Sequence, residues 1–95
     1  LGGLLVPPAT FTGEGPAATT LIELLPGTYK LSFKTDSLYS MVVPVIVSGQ
    51  CLERPVFLLT EPGEYETTYY STGCQVVFQV SNVTASWTLS VLASS

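Results

Sequence analysis

The feature that most restricts this chain is the period of its apolar residues, which is that of a strand and not of a helix. In Tyr29-Lys30-Leu31-Ser32-Phe33-Lys34 apolar and polar residues alternate strictly, and Trp87-Thr88-Leu89-Ser90-Val91 repeats the alternation. Successive side chains of an extended chain point to opposite faces, so each run describes a strand with one buried side. Gln75-Val76-Val77-Phe78-Gln79-Val80 follows the pattern with one further apolar residue turned outward. Nowhere do apolar positions recur at helical spacing over three turns. Thr20 to Leu25 comes nearest, and Pro26-Gly27 stops it. Helix content is expected to be close to nil.

Turn residues divide these runs at short intervals: Thr12-Gly13-Glu14-Gly15-Pro16, Pro26-Gly27, Thr35-Asp36-Ser37, Ser48-Gly49-Gln50, Glu61-Pro62-Gly63, Ser71-Thr72-Gly73 and Ser81-Asn82. Strands are therefore expected near 9–13, 17–25, 28–35, 38–48, 51–60, 64–71, 74–81 and 85–92. About eight short strands in a single domain of 95 residues define an all-β fold, a two-layer antiparallel β-sandwich of jelly-roll-like form. The division expected is an apolar N-terminal arm over 1–8 and a sandwich domain over 9–95. Pro-Gly-x-Tyr occurs twice, at Pro26-Gly27-Thr28-Tyr29 and Pro62-Gly63-Glu64-Tyr65, and each opens an alternating run. Two equivalent corners, with the ring capping the edge of the core, explain the echo more simply than two ligand platforms.

Charge narrows the function. Only 11% of residues are charged, against about 25% in an average soluble protein. The net charge of −4 sets Glu14, Glu23, Asp36, Glu53, Glu61, Glu64 and Glu66 against Lys30, Lys34 and Arg54. Three dispersed cations cannot track a phosphate backbone, so no nucleic-acid partner is expected. An anionic membrane surface would repel the chain for the same reason. No apolar run approaches the ~20 residues of a membrane helix, so no membrane insertion is expected. No basic segment precedes Leu1, which fits either a chain whose signal peptide has been removed or an excised module.

Histidine is absent. That removes the commonest general base, the commonest metal ligand and the usual activator of a serine or cysteine nucleophile. No S-x-x-K motif supplies a lysine instead, and no catalytic residue is expected. Glu61, Glu64 and Glu66 gather around one turn but lack the Asp/Asn-rich spacing of a calcium loop, and they read as a solvated edge. No metal and no cofactor is expected. Gly13-Glu14-Gly15 is not a phosphate loop, since no helix or lysine follows. It reads as a corner where the chain passes close to another backbone. Cys51 and Cys74 lie in separate strand candidates and form neither a zinc pattern nor a C-x-x-C pair, so a disulfide is the preferred reading over two buried thiols. A disulfide together with the sequon Asn82-Val83-Thr84, a candidate for glycosylation, favours a location outside the cell or on its surface.

The succession Phe11-Thr12-Gly13-Glu14-Gly15, Leu25-Pro26-Gly27-Thr28-Tyr29, Gly73-Cys74-Gln75-Val76-Val77-Phe78-Gln79-Val80 and Trp87-Thr88-Leu89-Ser90-Val91 resembles a loose family of secreted prokaryotic β-sandwich modules. That resemblance covers residues 11–92 and implies an accessory domain of a surface protein, with no catalytic residues to carry over. A second likeness, of composition, is to donor-strand filament subunits of the bacterial and archaeal cell surface. Those are small, rich in Thr, Ser and Val, poor in charge, and begin with an apolar segment such as Leu1 to Val6.

One run adds a demand for partners. Met41-Val42-Val43-Pro44-Val45-Ile46-Val47 is apolar on both faces, and such a strand must be covered on both sides. Pro44 suits an edge or a bulge, because it cannot donate to a central ladder. The arm Leu1-Gly2-Gly3-Leu4-Leu5-Val6-Pro7-Pro8 is a candidate cover, docked on its own chain or added as a strand to a neighbour. The expected function is a non-catalytic extracellular structural subunit that self-assembles into a filament or surface array. Leu1, Leu4, Leu5, Val6, Val43, Val45 and Val47 would form the subunit interface. The alternative is a carbohydrate-binding or adhesive accessory module using the exposed aromatics Tyr39 and either Tyr69 or Tyr70. Trp87, in step with Leu89 and Val91, belongs to the core.

Overall fold

The alternation in the sequence becomes an alternation of burial. In the computed structural model, which describes residues 6–94, Tyr29, Leu31 and Phe33 are buried while Lys30 and Lys34 are exposed. Among the described residues there are eight strands and no helix: β1 (Ala9–Glu14), β2 (Ala17–Ala18), β3 (Ile22–Leu24), β4 (Gly27–Thr35), β5 (Ser40–Cys51), β6 (Phe57–Leu59), β7 (Gly63–Ser81) and β8 (Ser86–Ser94). Every pairing is antiparallel, in the order β1-β8-β4-β7-β5-β6, with β2 and β3 also on β7.

Strand β7 makes two layers from this one ladder. Its first half, 63–71, pairs with β4, and its second half pairs with β5 on one edge and with β3 and β2 on the other. Tyr69 and Phe78 would lie about 30 Å apart on a straight strand. Their ring centroids are 5.8 Å apart, edge to face, so the strand folds over between them. One layer is thus β1-β8-β4-first half of β7, and the other is β3-second half of β7-β5-β6. This is the strand order of a jelly roll. The Phe33 ring of the first layer stacks on Phe57 of the second at 5.6 Å, and the core between the layers contains Ile22, Leu24, Leu31, Val42, Val76, Val80, Trp87, Leu89 and Val91.

Several expected boundaries move, each for a local reason. Ser71-Thr72-Gly73 is not a turn between two strands, because the ladder runs through it. Gly27 faces Ser71 and Leu24 faces Cys74, so β3 and β4 keep one register on either side of Leu25-Pro26, and both ribbons bend together. Gly73 takes the bend at φ +102, open to glycine and closed to most other residues. Ser48-Gly49-Gln50 is likewise a bulge inside β5, where Gly49, at φ +81, leaves no room for a Cβ beside the Gly73 carbonyl. The strand expected over 51–60 shrinks to β6, because Pro55 supplies no donor and Glu53 and Arg54 turn to solvent. The run 17–25 splits at Thr19. There the Thr19 hydroxyl accepts the Phe78 amide at 3.1 Å, and the Thr19 amide donates to the Phe78 carbonyl at 2.9 Å.

Candidate functional site

The two outer faces of the sandwich differ in chemistry. On the first sheet the outward positions of β4, β7 and β8 are mostly polar, among them Lys30, Ser32, Lys34, Glu64, Glu66, Thr68, Thr88 and Ser90, with Tyr70 and Leu92 the exposed apolar residues on this face. Lys30 Nζ lies 3.5 Å from Glu66 Oε2, and the Ser32 hydroxyl donates to the same oxygen at 3.4 Å. Both charged groups are exposed, so the pair adds little to stability. This face is solvated by its own charges.

On the second sheet the outward positions of β5 are Met41, Val43 and Val45, continued by Val47 at the bulge. Val43 is half-buried, whereas Val45 is 44% and Val47 57% exposed. The register extends the strip sideways, with Leu58, 67% exposed, opposite Met41 and Val77 opposite Val45. Gln75 and Gln79 border it, and Glu23 of β3 is the one charged residue among its described neighbours on the paired strands. The sequence pattern identified Val43, Val45 and Val47, but not Met41 and Leu58, because cross-strand neighbours depend on register. Val6 is also exposed, while Leu1, Leu4 and Leu5 lie outside the described residues.

Pro44 sits where this sheet edge opens. Strand β6 covers β5 only over 40–42, and the Val56 amide donates to the Val42 carbonyl at 2.8 Å, which fixes the side that Val42 presents to the edge. Backbone groups two residues apart in a strand point the same way. The Pro44 nitrogen therefore faces the open edge, and the ladder with β7 loses nothing.

Among the candidate aromatics, Tyr69 is fully buried and Tyr70 is 67% exposed on the outer face of the first sheet. The Tyr69 hydroxyl donates to the Leu52 carbonyl, and burial, with the Glu53 carboxylate as second cause, pushes its pKa up to about 12. Tyr39, 57% exposed, lies at the other end of the sandwich, in the connection from Thr35 to Ser40. Tyr39 and Tyr70 therefore do not form one platform.

What Tyr39 does approach is the sequon. Pro16, Tyr39, Asn82, Val83 and Thr84 line a shallow hollow at this end. Beneath it Ser37, 1% exposed, donates its hydroxyl to the Tyr39 carbonyl at 2.6 Å and accepts the Thr84 amide at 3.1 Å. Thr35 supports Ser37 by accepting its amide at 3.0 Å, and donates in turn to the Ser86 carbonyl at 3.2 Å. Two buried hydroxyls thus clamp the β4–β5 connection onto the β7–β8 turn. The turn-like composition of Thr35-Asp36-Ser37 marked a loop in the sequence and gave no sign of this partner.

The Cys51 and Cys74 sulfurs are bonded, with Cα atoms 6.1 Å apart, and tie the end of β5 to the bend of β7. No described helix is long and apolar enough to cross a membrane, and no group of three or more described His, Cys, Asp or Glu residues converges as metal ligands. Glu61, Glu64 and Glu66 are all exposed. The fold and these surfaces place the chain in the class of jelly-roll β-sandwiches with one polar and one apolar outer face. Comparison with family models, curated proteins and solved structures finds no match to it.

Proposed function

We propose that this chain is a non-catalytic extracellular structural subunit that self-assembles into a filament or surface array. It buries the outer face of its second sheet against a neighbouring copy, and its N-terminal arm, with Leu1, Leu4, Leu5 and Val6, adds a strand to that neighbour's sheet. The observation that carries this reading is the strip of Met41, Val43, Val45 and Val47 with Val77 and Leu58, standing outside a core that is already filled. Removing apolar surface from water is worth roughly 25 cal/mol per Å², and this face has almost no charge to keep two copies apart. The edge of β5 contributes less than its face. At Pro44 an added strand finds a carbonyl but no donor, and the bulge at Val47 bends the edge away, two devices that blunt strand addition. The disulfide supports an oxidising compartment.

Light scattering on three forms of the protein tests this reading. The intact chain should form oligomers, and the form lacking residues 1–8 should not. Val45→Lys combined with Val47→Lys should be monomeric with an unchanged melting temperature, since both side chains already face solvent. Assembly by the truncated form would remove the arm from the account, and assembly by the lysine variant would remove the face. A carbohydrate-binding or adhesive accessory module is the second reading, favoured by the exposed ring of Tyr39 beside an open hollow. A glycan array without hits would count against it.

A further inference from the structure

The geometry points to Asn82 as an N-glycosylation site whose first sugar is seated in the hollow beside Tyr39. This inference is independent of the self-assembly reading. Asn82-Val83-Thr84 has the acceptor pattern N-x-T, and three features of the fold suit it. Asn82 is exposed at the turn from β7 to β8 with φ 60, a left-handed position that asparagine tolerates better than most residues. Val83 is 3% exposed and anchors the sequon to the core on one side. Thr84 is anchored on the other side through its amide to Ser37.

Seating follows from the clamp. Because Ser37 Oγ bonds both the Tyr39 carbonyl and the Thr84 amide, the Tyr39 backbone is held beside the sequon. Tyr39, 57% exposed, lines the hollow together with Pro16 and Val83. A pyranose ring has an apolar face of C–H bonds and a polar rim. An N-acetylhexosamine linked to Asn82 would lay that face on Tyr39 and Pro16 and keep its hydroxyls in water. Ser37 and Thr35 act here as positioning residues.

The modification needs a lipid-linked oligosaccharide (pyro)phosphate as co-reactant. The Asn82 Nδ2 forms a bond to the sugar C1, the bond from C1 to the phosphate oxygen breaks, the lipid phosphate leaves with the electron pair, and the amide loses one proton. A glycan so placed would stand at the end of the sandwich next to Met41, since Asn82 follows Ser81, the partner of Met41 in the ladder.

The test is to secrete the full chain from a eukaryotic cell alongside a reporter glycoprotein. Intact mass is then measured before and after treatment with peptide-N-glycanase. A mass excess removed by the enzyme, absent from both Asn82→Gln and Thr84→Ala, is the expected result. An unmodified chain next to a glycosylated reporter overturns the assignment. Seating has its own readout. The glycosylated wild type should melt a few degrees above its enzymatically deglycosylated form, and Tyr39→Ala should keep the glycan while losing that difference. If Tyr39→Ala retains the difference, or the wild type shows none, the glycan is not seated on the hollow.

Discussion

At the scale of single residues, close approach decides what can be substituted. Gly13 faces Trp87 across the β1–β8 ladder, and a Cβ at Gly13 would lie 2.7 Å from the indole ring. The Trp87 Nε1–H reaches past it to the Gly15 carbonyl at 2.9 Å, while the Gly15 amide donates to the Ala85 carbonyl. The glycine pair was legible as a place of close passage. Gly15 meets the backbone that the sequence suggested, at Ala85, whereas the neighbour of Gly13 is an aromatic ring, because nothing local reveals what a residue 74 positions away will do. Trp87 is buried, so its ring cannot step aside cheaply. Gly13→Ala is therefore expected to destabilise the protein by about 1–3 kcal/mol in urea denaturation. A loss below a few tenths would mean that the ring moves freely. Pro44 teaches the complementary lesson. Its edge position was readable from its missing donor, and the side it faces came only from the bond between Val56 and Val42.

At the scale of elements, the Pro-Gly-x-Tyr echo is a repeated strand start. Tyr29 donates to the Leu25 carbonyl at 2.9 Å and Tyr65 to the Glu61 carbonyl at 3.1 Å, each four residues back, while Gly27 and Gly63 share φ values of 148 and 150. A tyrosine that ties its hydroxyl to backbone upstream fixes the direction in which a strand enters a sandwich. The two strands that open this way, β4 and the first half of β7, are antiparallel partners. Their equivalence was visible in four residues of sequence, because a local bond depends only on local residues. The continuity of β7 was not visible. Ser71-Thr72-Gly73 has the composition of a turn, and pairing on both ribbons is what holds it extended through the bend. The disulfide reinforces this corner, where Cys51 ends β5 beside Ser71. The double variant Cys51→Ala with Cys74→Ala is expected to lose roughly 3 kcal/mol, the effect of freeing a loop of this size in the unfolded chain. Hydrogen exchange should then rise first over residues 48–51. Uniform exchange across all strands would place the effect in the unfolded state alone.

At the scale of the whole molecule, alkaline stability reports how the open side of the sandwich is closed. Tyr69 projects inward from the first sheet and donates to Leu52, in the connection that joins β5 to β6. Its phenol has an ordinary pKa of 10 in the unfolded chain and one raised to about 12 in the fold, by burial first and Glu53 second. Below the unfolded value both states keep the proton and the fold has its full stability. As pH rises through this window the unfolded chain ionises first, so stability falls. Denaturation of the wild type and Tyr69→Phe should therefore diverge between about pH 10 and about pH 12, with only the wild type declining steeply. Parallel curves would show that other groups govern the alkaline limit.

Period-two patterning, turn residues and the scarcity of charge are properties of neighbours along the chain, and they determined the high strand content, the all-β class and the inward faces of β4 and β8. The jelly-roll order, the folding of one strand across two layers and the meeting of Tyr39 with Asn82 are relations between distant segments. So is the gathering of Leu58, Met41 and Val77 into one uncovered strip. Only tertiary structure decided these, because side-chain alternation fixes which way a residue points, whereas ladder register and the bend of β7 fix what it meets.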